Sequence, residues 1–422
     1  MEYMTNPAKL LHESNVASYN NAFPVVIDRA KGSHIYAEDG TEYIDFFSIA
    51  GANNYGHNPE PLMAKLIEYI QHNGINGALD IATVAKREFV DTYYLHILQP
   101  RGLDYKLMFT GPTGTNAVEA ALKLARKVKG RSEIVAFKSG FHGVSLGSLA
   151  TTSNEHFRHA AGVPLRHVTF FPYDMVTTPI EESIGELEAA FAGIDPDNRP
   201  AGAIIEIIQG EGGVNAARPE WVQRLRELTT EHDMLLIVDD IQAGCGRSGN
   251  FFSFEPSGIK PDIVTQSKSI SGSGAPMSLV LIAPEYDVWK PAEHNGTFRG
   301  NSHAFVTATA AINTYWRSDD LMNELADKSQ ILEKALSDLV AEFPDHIKDH
   351  RGRGFLQGIC FNDPALAGDA AKRAFEKHVI IERAGPDDEV LKYMPALTID
   401  EAVLREGIAR VAEAIREAIA AA

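Results

Sequence analysis

The chain has 422 residues, of which 44% are hydrophobic and 23% charged, with a formal net charge of −18 at pH 7. This composition is ordinary for a globular enzyme and excludes a disordered or collagen-like chain, and the acidic excess disfavours nucleic acid as a partner. The two cysteines are too few for a disulfide scaffold and indicate a cytoplasmic protein, and no apolar run is long enough to cross a membrane.

Short β-branched runs alternate with helical patterns along the chain after a predicted hairpin at 36–45, whose turn is Asp39-Gly40. That alternation is typical of a mostly parallel sheet covered by helices. The predicted strands are 106–109, 134–137, 203–208, 235–239, 262–266 and 278–282.

Helical spacing begins after Asn116, which we interpret as an N-cap, and recurs from Trp221 to Leu228. Beyond about residue 315, helices rich in Ala, Glu and Leu flank short strands. These helices are predicted at 321–343 and 399–421, and the strands near 354–361 and 379–383. The prediction is an α/β fold with a large domain at 56–315 and a smaller α+β domain at 316–422. Residues 1–55 contribute to the smaller domain.

Asp239 ends the strand predicted at 235–239, and a Gly-rich turn follows it. Ligands of open α/β sheets bind outside the carboxyl ends of the strands. A carboxylate there can keep the ring nitrogen of a pyridinium cofactor protonated. Taken alone, Asp239 fits better an aspartate that caps the following turn.

Lys268 follows the strand predicted at 262–266 and opens a loop of serines and glycines. A lysine at the end of a buried strand can lose its charge by desolvation and attack an aldehyde. By itself it would more often be a solvated loop residue. Because an earlier strand of the same predicted sheet ends in Asp239, we interpret Lys268 as functional.

Two further segments fit a flat, phosphorylated cofactor. Gly114, Thr115 and Asn116 open a helix, whose first N–H groups suit a phosphate, although a simple capped start is as good an explanation. Phe141 and His142 lie between glycines after a strand, where an aromatic ring can stack on a planar group. An isolated Phe-His pair is more often core packing.

Taken in order, these four segments resemble the class III aminotransferases of fold type I, which use pyridoxal 5'-phosphate. The likeness runs from the 36–45 hairpin to Thr297-Phe298-Arg299-Gly300-Asn301 and on into the C-terminal domain. It implies a seven-stranded sheet between helices in the large domain. It also implies a homodimer, or a higher homo-oligomer, with shared active sites.

The resemblance implies a role for each matching residue. Lys268 would bind the cofactor covalently and then move the proton, and Asp239 would pair with the ring nitrogen. The other cofactor-binding residues are Phe141 and Ile241 on the ring faces, His142 beside Phe141, Gln242 at the ring hydroxyl, Gly114, Thr115 and Asn116 at the phosphate, and Thr297 from the neighbouring subunit. Asn116 stands where many members of the class have Glu.

The substrate would be held by Glu211, Lys392 and Arg299. Many members pair an arginine with the glutamate at position 211 and release that arginine to bind glutamate. Lys392 would do that work here, with Arg299 as a second candidate. Ornithine-type members have another arginine where this chain has Val144. No metal-binding residue is predicted.

Within the class, the residues at 267–272, 297–301 and 141–147 are similar to those of the diaminobutyrate aminotransferases of ectoine synthesis, except that Ser273 replaces a Tyr. This implies amino transfer from L-glutamate to L-aspartate 4-semialdehyde, so the partners would be small amino and oxo acids. The alternatives are another ω-aminotransferase (for ornithine, 4-aminobutyrate or a diamine), an aminomutase, or a cofactor-binding protein without activity.

Overall fold

Seven short, mostly apolar runs build the central sheet in a computed structural model that describes residues 6–10 and 12–422. In spatial order the strands are Lys106–Phe109, Leu279–Ile282, Ile263–Gln266, Leu235–Asp239, Gly202–Ile205, Ile134–Phe137 and Val168–Phe171. Leu279–Ile282 is antiparallel to both neighbours, and the other pairs are parallel. The predicted mostly parallel, seven-stranded sheet is confirmed.

The middle strands are apolar at nearly every position because both of their faces are covered. Along Leu235–Asp239, Leu236 and Val238 join the larger core on one face, while Leu235 and Ile237 pack on the other face with the helix Gly114–Lys129. Full burial of one such side chain is worth about 1.5–3 kcal/mol. This packing fixes where the strand ends, and therefore where Asp239 points.

Helices surround this sheet. The longer ones are Glu60–Gln71, Val84–Tyr93, Gly114–Lys129, Ile180–Ala192, Pro219–Glu231 and Ser302–Tyr315, and the shorter ones include Leu146–Thr151 and Glu155–Arg158. The helix predicted around Trp221 is confirmed. The predicted cap at Asn116 is wrong, because the chain is already helical from Gly114 and the N-cap is Thr113.

The N-terminal hairpin belongs to a separate four-stranded sheet. Its strands are Ile27–Lys31, His34–Ala37, Glu42–Asp45 and Val379–Ile380. The predicted turn at Asp39-Gly40 is confirmed, and the Ala37 N–H donates to the Thr41 carbonyl at 2.9 Å. The parallel pairing of Glu42–Asp45 with Val379–Ile380 joins the N-terminal part of the chain to the C-terminal part.

The C-terminal part forms an antiparallel sheet in the order Ile347–Arg353, Leu356–Phe361, Val390–Tyr393 and Glu382–Ala384. Its helices are Asp320–Glu342, Pro364–Glu376 and Glu401–Ala421. The domain limits at residues 55 and 315 stay predictions. Within the described ranges, no helix combines the length and apolar character needed to span a membrane.

Two predicted strands are wrong as single elements. The run at 203–208 divides into Gly202–Ile205 of the central sheet and Ile208–Gln209 of a two-stranded sheet with Asn215–Ala216. The run at 379–383 likewise divides between the N-terminal and C-terminal sheets. In both cases one short run, interrupted or ended by a glutamate, contributes to two buried strands, and periodicity does not reveal the change of sheet.

Candidate active site

The carboxyl ends of the central strands open on a cavity of about 570 Å³, part of it continuous with solvent. Its lining consists of Gly114, Thr115, Phe141, His142, Gly143, Glu206, Glu211, Asp239, Ile241, Gln242 and Lys268. All of these except Gly143 and Glu206 are residues predicted from the sequence. Residues separated by up to 154 positions are thus brought together at the place where an open α/β sheet binds its ligands.

Asp239 is 4% exposed and is held from several sides. His142 donates from Nδ1 to its Oδ2 at 2.7 Å, and the Thr265 hydroxyl donates to Oδ1 at 3.1 Å. Burial by itself would lower the pKa of His142, but the hydrogen bond and the charge of Asp239 raise it. The pair keeps negative charge at the floor of the cavity, where a ring nitrogen needs it to stay protonated.

Lys268 lies just beyond the strand Ile263–Gln266, with a left-handed backbone at φ 49°. Non-glycine residues adopt this conformation at a cost of about 1–2 kcal/mol, and such strain concentrates at functional sites. Its Nζ donates to the Ala50 carbonyl at 2.9 Å. Desolvation lowers the pKa of Lys268, which favours the neutral amine that attacks a carbonyl.

A left-handed turn opposite Lys268 was not predicted. Ser48, Ile49 and Ala50 have φ of 49°, 50° and 54°. Asp45 holds the turn, because its Oδ1 accepts from the N–H groups of Phe47 and Ser48, both at 2.8 Å. The turn presents the Ala50 carbonyl to Lys268, and so it positions the amine.

The phosphate end of the cavity is built from small residues and hydroxyls. A side chain at Gly114 would lie 3.0 Å from Ile241, and one at Gly143 would lie 2.6 Å from the Thr115 hydroxyl. Thr115 itself bonds to the Ser145 and Ser148 hydroxyls. The open N–H groups of the long helix Gly114–Lys129 therefore face a space that glycines keep clear.

Asn116 is not among the cavity-lining residues, and its side chain instead accepts a hydrogen bond from the Thr113 hydroxyl at 2.8 Å. Its role at the phosphate stays a prediction.

Gln242 supplies a direct test of whether the cofactor fits. Its Nε2 donates to the Ala50 carbonyl at 3.1 Å and to Glu211 at 3.2 Å. Its Oε1 is buried and has no partner within the described part of the chain. A buried acceptor without a donor is unfavourable, and a ring hydroxyl in the cavity would satisfy it. A flat ring with a hydroxyl, a basic nitrogen and a phosphate fits this lining.

Glu206 was not predicted as a site residue. It lies just beyond the strand Gly202–Ile205, and its Oε2 accepts the Phe141 N–H at 2.8 Å. Burial raises its pKa to about 7, with His142 lowering it and Asp239 raising it. A buried strand end beside a predicted aromatic residue was the available signal.

Glu206 should make stability depend on pH. The folded state holds the proton more tightly than the unfolded chain between about pH 4.5 and 7, so raising the pH through this window favours unfolding. Between pH 5 and 8, the free energy of unfolding of the Glu206→Gln variant should fall by about 2 kcal/mol less than that of the wild type. Urea unfolding at both pH values measures this difference, and equal pH dependence in the two proteins would contradict the assignment.

Glu211 pairs with Lys392 as the sequence predicts, with Nζ 2.7 Å from Oε1. Lys392 also contacts a second carboxylate, since its Nζ lies 2.9 Å from Oε1 of Glu382. Burial would raise the pKa of Glu211, but the charges of Lys392 and Lys268 lower it to about 2. Glu382 was not predicted. Release of Lys392 to bind a substrate stays a prediction, and it would require breaking contacts with two carboxylates.

Thr297 and Arg299 lie outside the cavity of their own chain. Thr297 is exposed, and Arg299 has its guanidinium 3.0 Å from the Asp80 carboxylate. Among the described residues that line the cavity, Lys268 is the only lysine or arginine. A role for either residue in catalysis therefore depends on a second copy of the chain.

Sequence comparisons identify relatives along nearly the whole chain. A family model described as Aminotransferase class-III matches residues 15–415. A diaminobutyrate–2-oxoglutarate transaminase of Bordetella parapertussis is 52% identical over 414 residues, which cover 96% of this chain and 94% of the relative. One of the same name from Streptomyces avermitilis is 53% identical over 414 residues, 96% of each chain.

Solved structures show the same architecture. The ornithine aminotransferase of Toxoplasma gondii superposes with a TM-score of 0.83 at 26% identity, covering 96% of this chain and 93% of that one. An S-selective transaminase from Arthrobacter superposes with a TM-score of 0.85 at 21% identity, covering 99% of this chain and 97% of that one. At this low identity the likeness shows the fold alone. The predicted fold type I architecture is confirmed.

Proposed function

The chain belongs to the class III aminotransferases, and from that premise we propose that it interconverts L-2,4-diaminobutyrate and L-aspartate 4-semialdehyde. The amino group comes from L-glutamate, which leaves as 2-oxoglutarate. One observation carries the substrate assignment: relatives named for this reaction are 52–53% identical over 96% of the chain. The physiological setting we propose is ectoine synthesis in the cytoplasm, in keeping with the low cysteine content.

The cofactor of the class, pyridoxal 5'-phosphate, fits the cavity. When bound, it supplies a protonated ring that draws electrons from the carbon bearing the amino group. Asp239 and His142 would hold the proton on the ring nitrogen, and Gln242 would accept from the ring hydroxyl. The N–H groups of Gly114 and Thr115 would hold the phosphate.

The lysine and the aromatic residue do the remaining work. Phe141 and Ile241 would enclose the ring from opposite faces and exclude water. Lys268 would hold the cofactor before the reaction. Once the substrate amine has displaced it, the Lys268 Nζ would take the proton from the substrate carbon that bears the amino group and deliver it to the cofactor. A lysine with a lowered pKa suits that exchange, because an effective acid–base group has a pKa near the working pH.

A homodimer is part of the proposal. Ile49, Ile81 and Phe298 are exposed by 49%, 58% and 78%, and a partner subunit would cover such large apolar side chains. The cavity also lacks a second cation from its own described residues. Thr297 and Arg299 of a partner subunit would supply a phosphate contact and a positive charge for substrate carboxylates.

The purified protein, tested with 2-oxoglutarate as acceptor, should use diaminobutyrate at least about tenfold better in kcat/KM than ornithine or 4-aminobutyrate. It should also have twice the 46.1 kDa mass of the chain. Comparable rates on all three amines would contradict the diaminobutyrate assignment and indicate another ω-aminotransferase. Turnover without net formation of glutamate would indicate an aminomutase, and no amino transfer at all would indicate a binding protein.

A further inference from the structure

Glu211 lies where three cavities meet. Besides the cofactor cavity, it lines one of about 880 Å³ beside Phe141 and Phe157 and one of about 1630 Å³ beside Tyr19 and Glu382. Its side chain is 30% exposed, whereas those of Lys392 and Glu382 are 0% and 5% exposed. Of these three charged groups, Glu211 is therefore the one that a substrate can reach.

The two oxygens of Glu211 are not equivalent. Lys392 and Gln242 both donate to Oε1, at 2.7 and 3.2 Å. No hydrogen bond to Oε2 is found among the described residues. One oxygen is thus anchored and the other is left as an acceptor, which is how a carboxylate is arranged to receive a further donor.

Lys392 is fixed by the strand register. It lies directly opposite Glu382 in the antiparallel pair of Glu382–Ala384 with Val390–Tyr393. The Tyr19 hydroxyl bonds to the other oxygen of Glu382 at 3.2 Å. Burial would lower the pKa of Lys392, but the two carboxylates raise it. Taking a buried ammonium away from both carboxylates is strongly unfavourable, so Lys392 stays in place.

One ammonium between two carboxylates leaves this cluster with an excess negative charge, and Glu211 is the more exposed of the two carboxylates. The nearest other cations lining the 1630 Å³ cavity are already engaged, since Arg383 contacts Asp388 at 3.2 Å and Lys372 contacts Glu376 at 3.9 Å. The group that this end of the site suits is positively charged.

We propose that the Glu211 carboxylate binds the second ammonium group of an α,ω-diamino acid, with Lys392 and Glu382 as positioning residues. The inference rests on the proposed function, because diaminobutyrate and aspartate 4-semialdehyde both carry an α-ammonium far from the reacting carbon. Lys392 then acts by keeping Glu211 ionised and oriented, and not by being released to bind a carboxylate.

The natural test compares diaminobutyrate with 4-aminobutyrate, which lacks only the α-amino group. The wild type should favour diaminobutyrate in kcat/KM, and Glu211→Gln should reduce that preference by about 10- to 100-fold, the value of one hydrogen bond between charged groups. The loss should appear in KM for diaminobutyrate. The loss in kcat/KM should be smaller for 4-aminobutyrate than for diaminobutyrate, because 4-aminobutyrate has no α-ammonium that Glu211 could bind.

Glu155→Gln is the matched control, because it removes the same charge from the wall of the 880 Å³ cavity and should keep the wild-type preference. Glu382→Gln should reduce the preference by a smaller factor, because Glu382 acts on the substrate only through Lys392 and Glu211. Calorimetric titration of Lys268→Ala, alone and combined with Glu211→Gln, should show the same weakening of diaminobutyrate binding without turnover.

The outcomes separate the two proposals. A wild-type enzyme that does not act on diaminobutyrate contradicts the proposed function. A wild type that acts on it, while Glu211→Gln keeps its preference over 4-aminobutyrate, contradicts the role of Glu211 alone. An equal loss of kcat/KM for both amines would mean that Glu211 only maintains the structure of the site, which also contradicts the inference.

Discussion

The Lys268→Ala variant is expected to fold, to bind the cofactor without a covalent bond, and to lose at least about 10⁴-fold in kcat. The loss combines the proton transfer, which by itself contributes about 10²–10⁴-fold, with the covalent attachment. No other lysine lines the cavity in the described part of the chain. Steady-state kinetics, together with the visible absorbance of the bound cofactor, measure both effects.

The matched control for this variant is Lys268→Arg, which keeps a cation but cannot act as an amine nucleophile at neutral pH. It should be as inactive as the alanine variant. Activity within about tenfold of the wild type in either variant would contradict the role of Lys268.

The Asp239→Asn variant is expected to reduce kcat by about 10²- to 10³-fold, with a smaller effect on KM. The amide has nearly the same shape but carries no charge to keep a ring nitrogen protonated. In the wild type, His142 donates to the Asp239 carboxylate at 2.7 Å, and the variant removes that negative partner. Half-reaction rates with glutamate, measured as the change in cofactor absorbance, should show the defect in the proton-transfer step.

Asp240→Asn provides the control for Asp239, because it makes the same change one residue later. Asp240 is buried, accepts the Ser253 N–H at 3.1 Å and does not line the cavity. Its variant should retain kcat within a few fold. If the two variants were equally impaired, the loss would be a packing effect, and the proposed role of Asp239 in holding the ring proton would be wrong.

The sequence predicted best the features that depend on local pattern. The strands Lys106–Phe109, Ile134–Phe137 and Leu235–Asp239 match their predicted bounds, because each contains at least three consecutive apolar residues and is followed by a polar residue. Asp239, Lys268 and Phe141 follow from that, since the end of a parallel strand is also the edge of the site.

The features that the sequence did not predict depend on distant contacts. The left-handed turn at Ser48, Ile49 and Ala50 contains none of the residue types that usually indicate such a turn. Hydrogen bonds with Asp45 and Lys268 hold it in place. Glu382 becomes part of the site only because the strand register sets it opposite Lys392. Such pairings are decided by tertiary structure, and the short run at 379–383 gave no sign that it changes sheets.

Lys268 is the residue that we propose carries the cofactor, at the edge of the sheet that also presents Asp239. Borohydride reduction makes a lysine–cofactor bond permanent, so peptide mapping by mass spectrometry can locate it. We expect the reduced cofactor on the peptide containing Lys268, in a yield close to one per chain. Labelling of a different lysine, or no covalent label in a protein that still transfers amino groups, would contradict it.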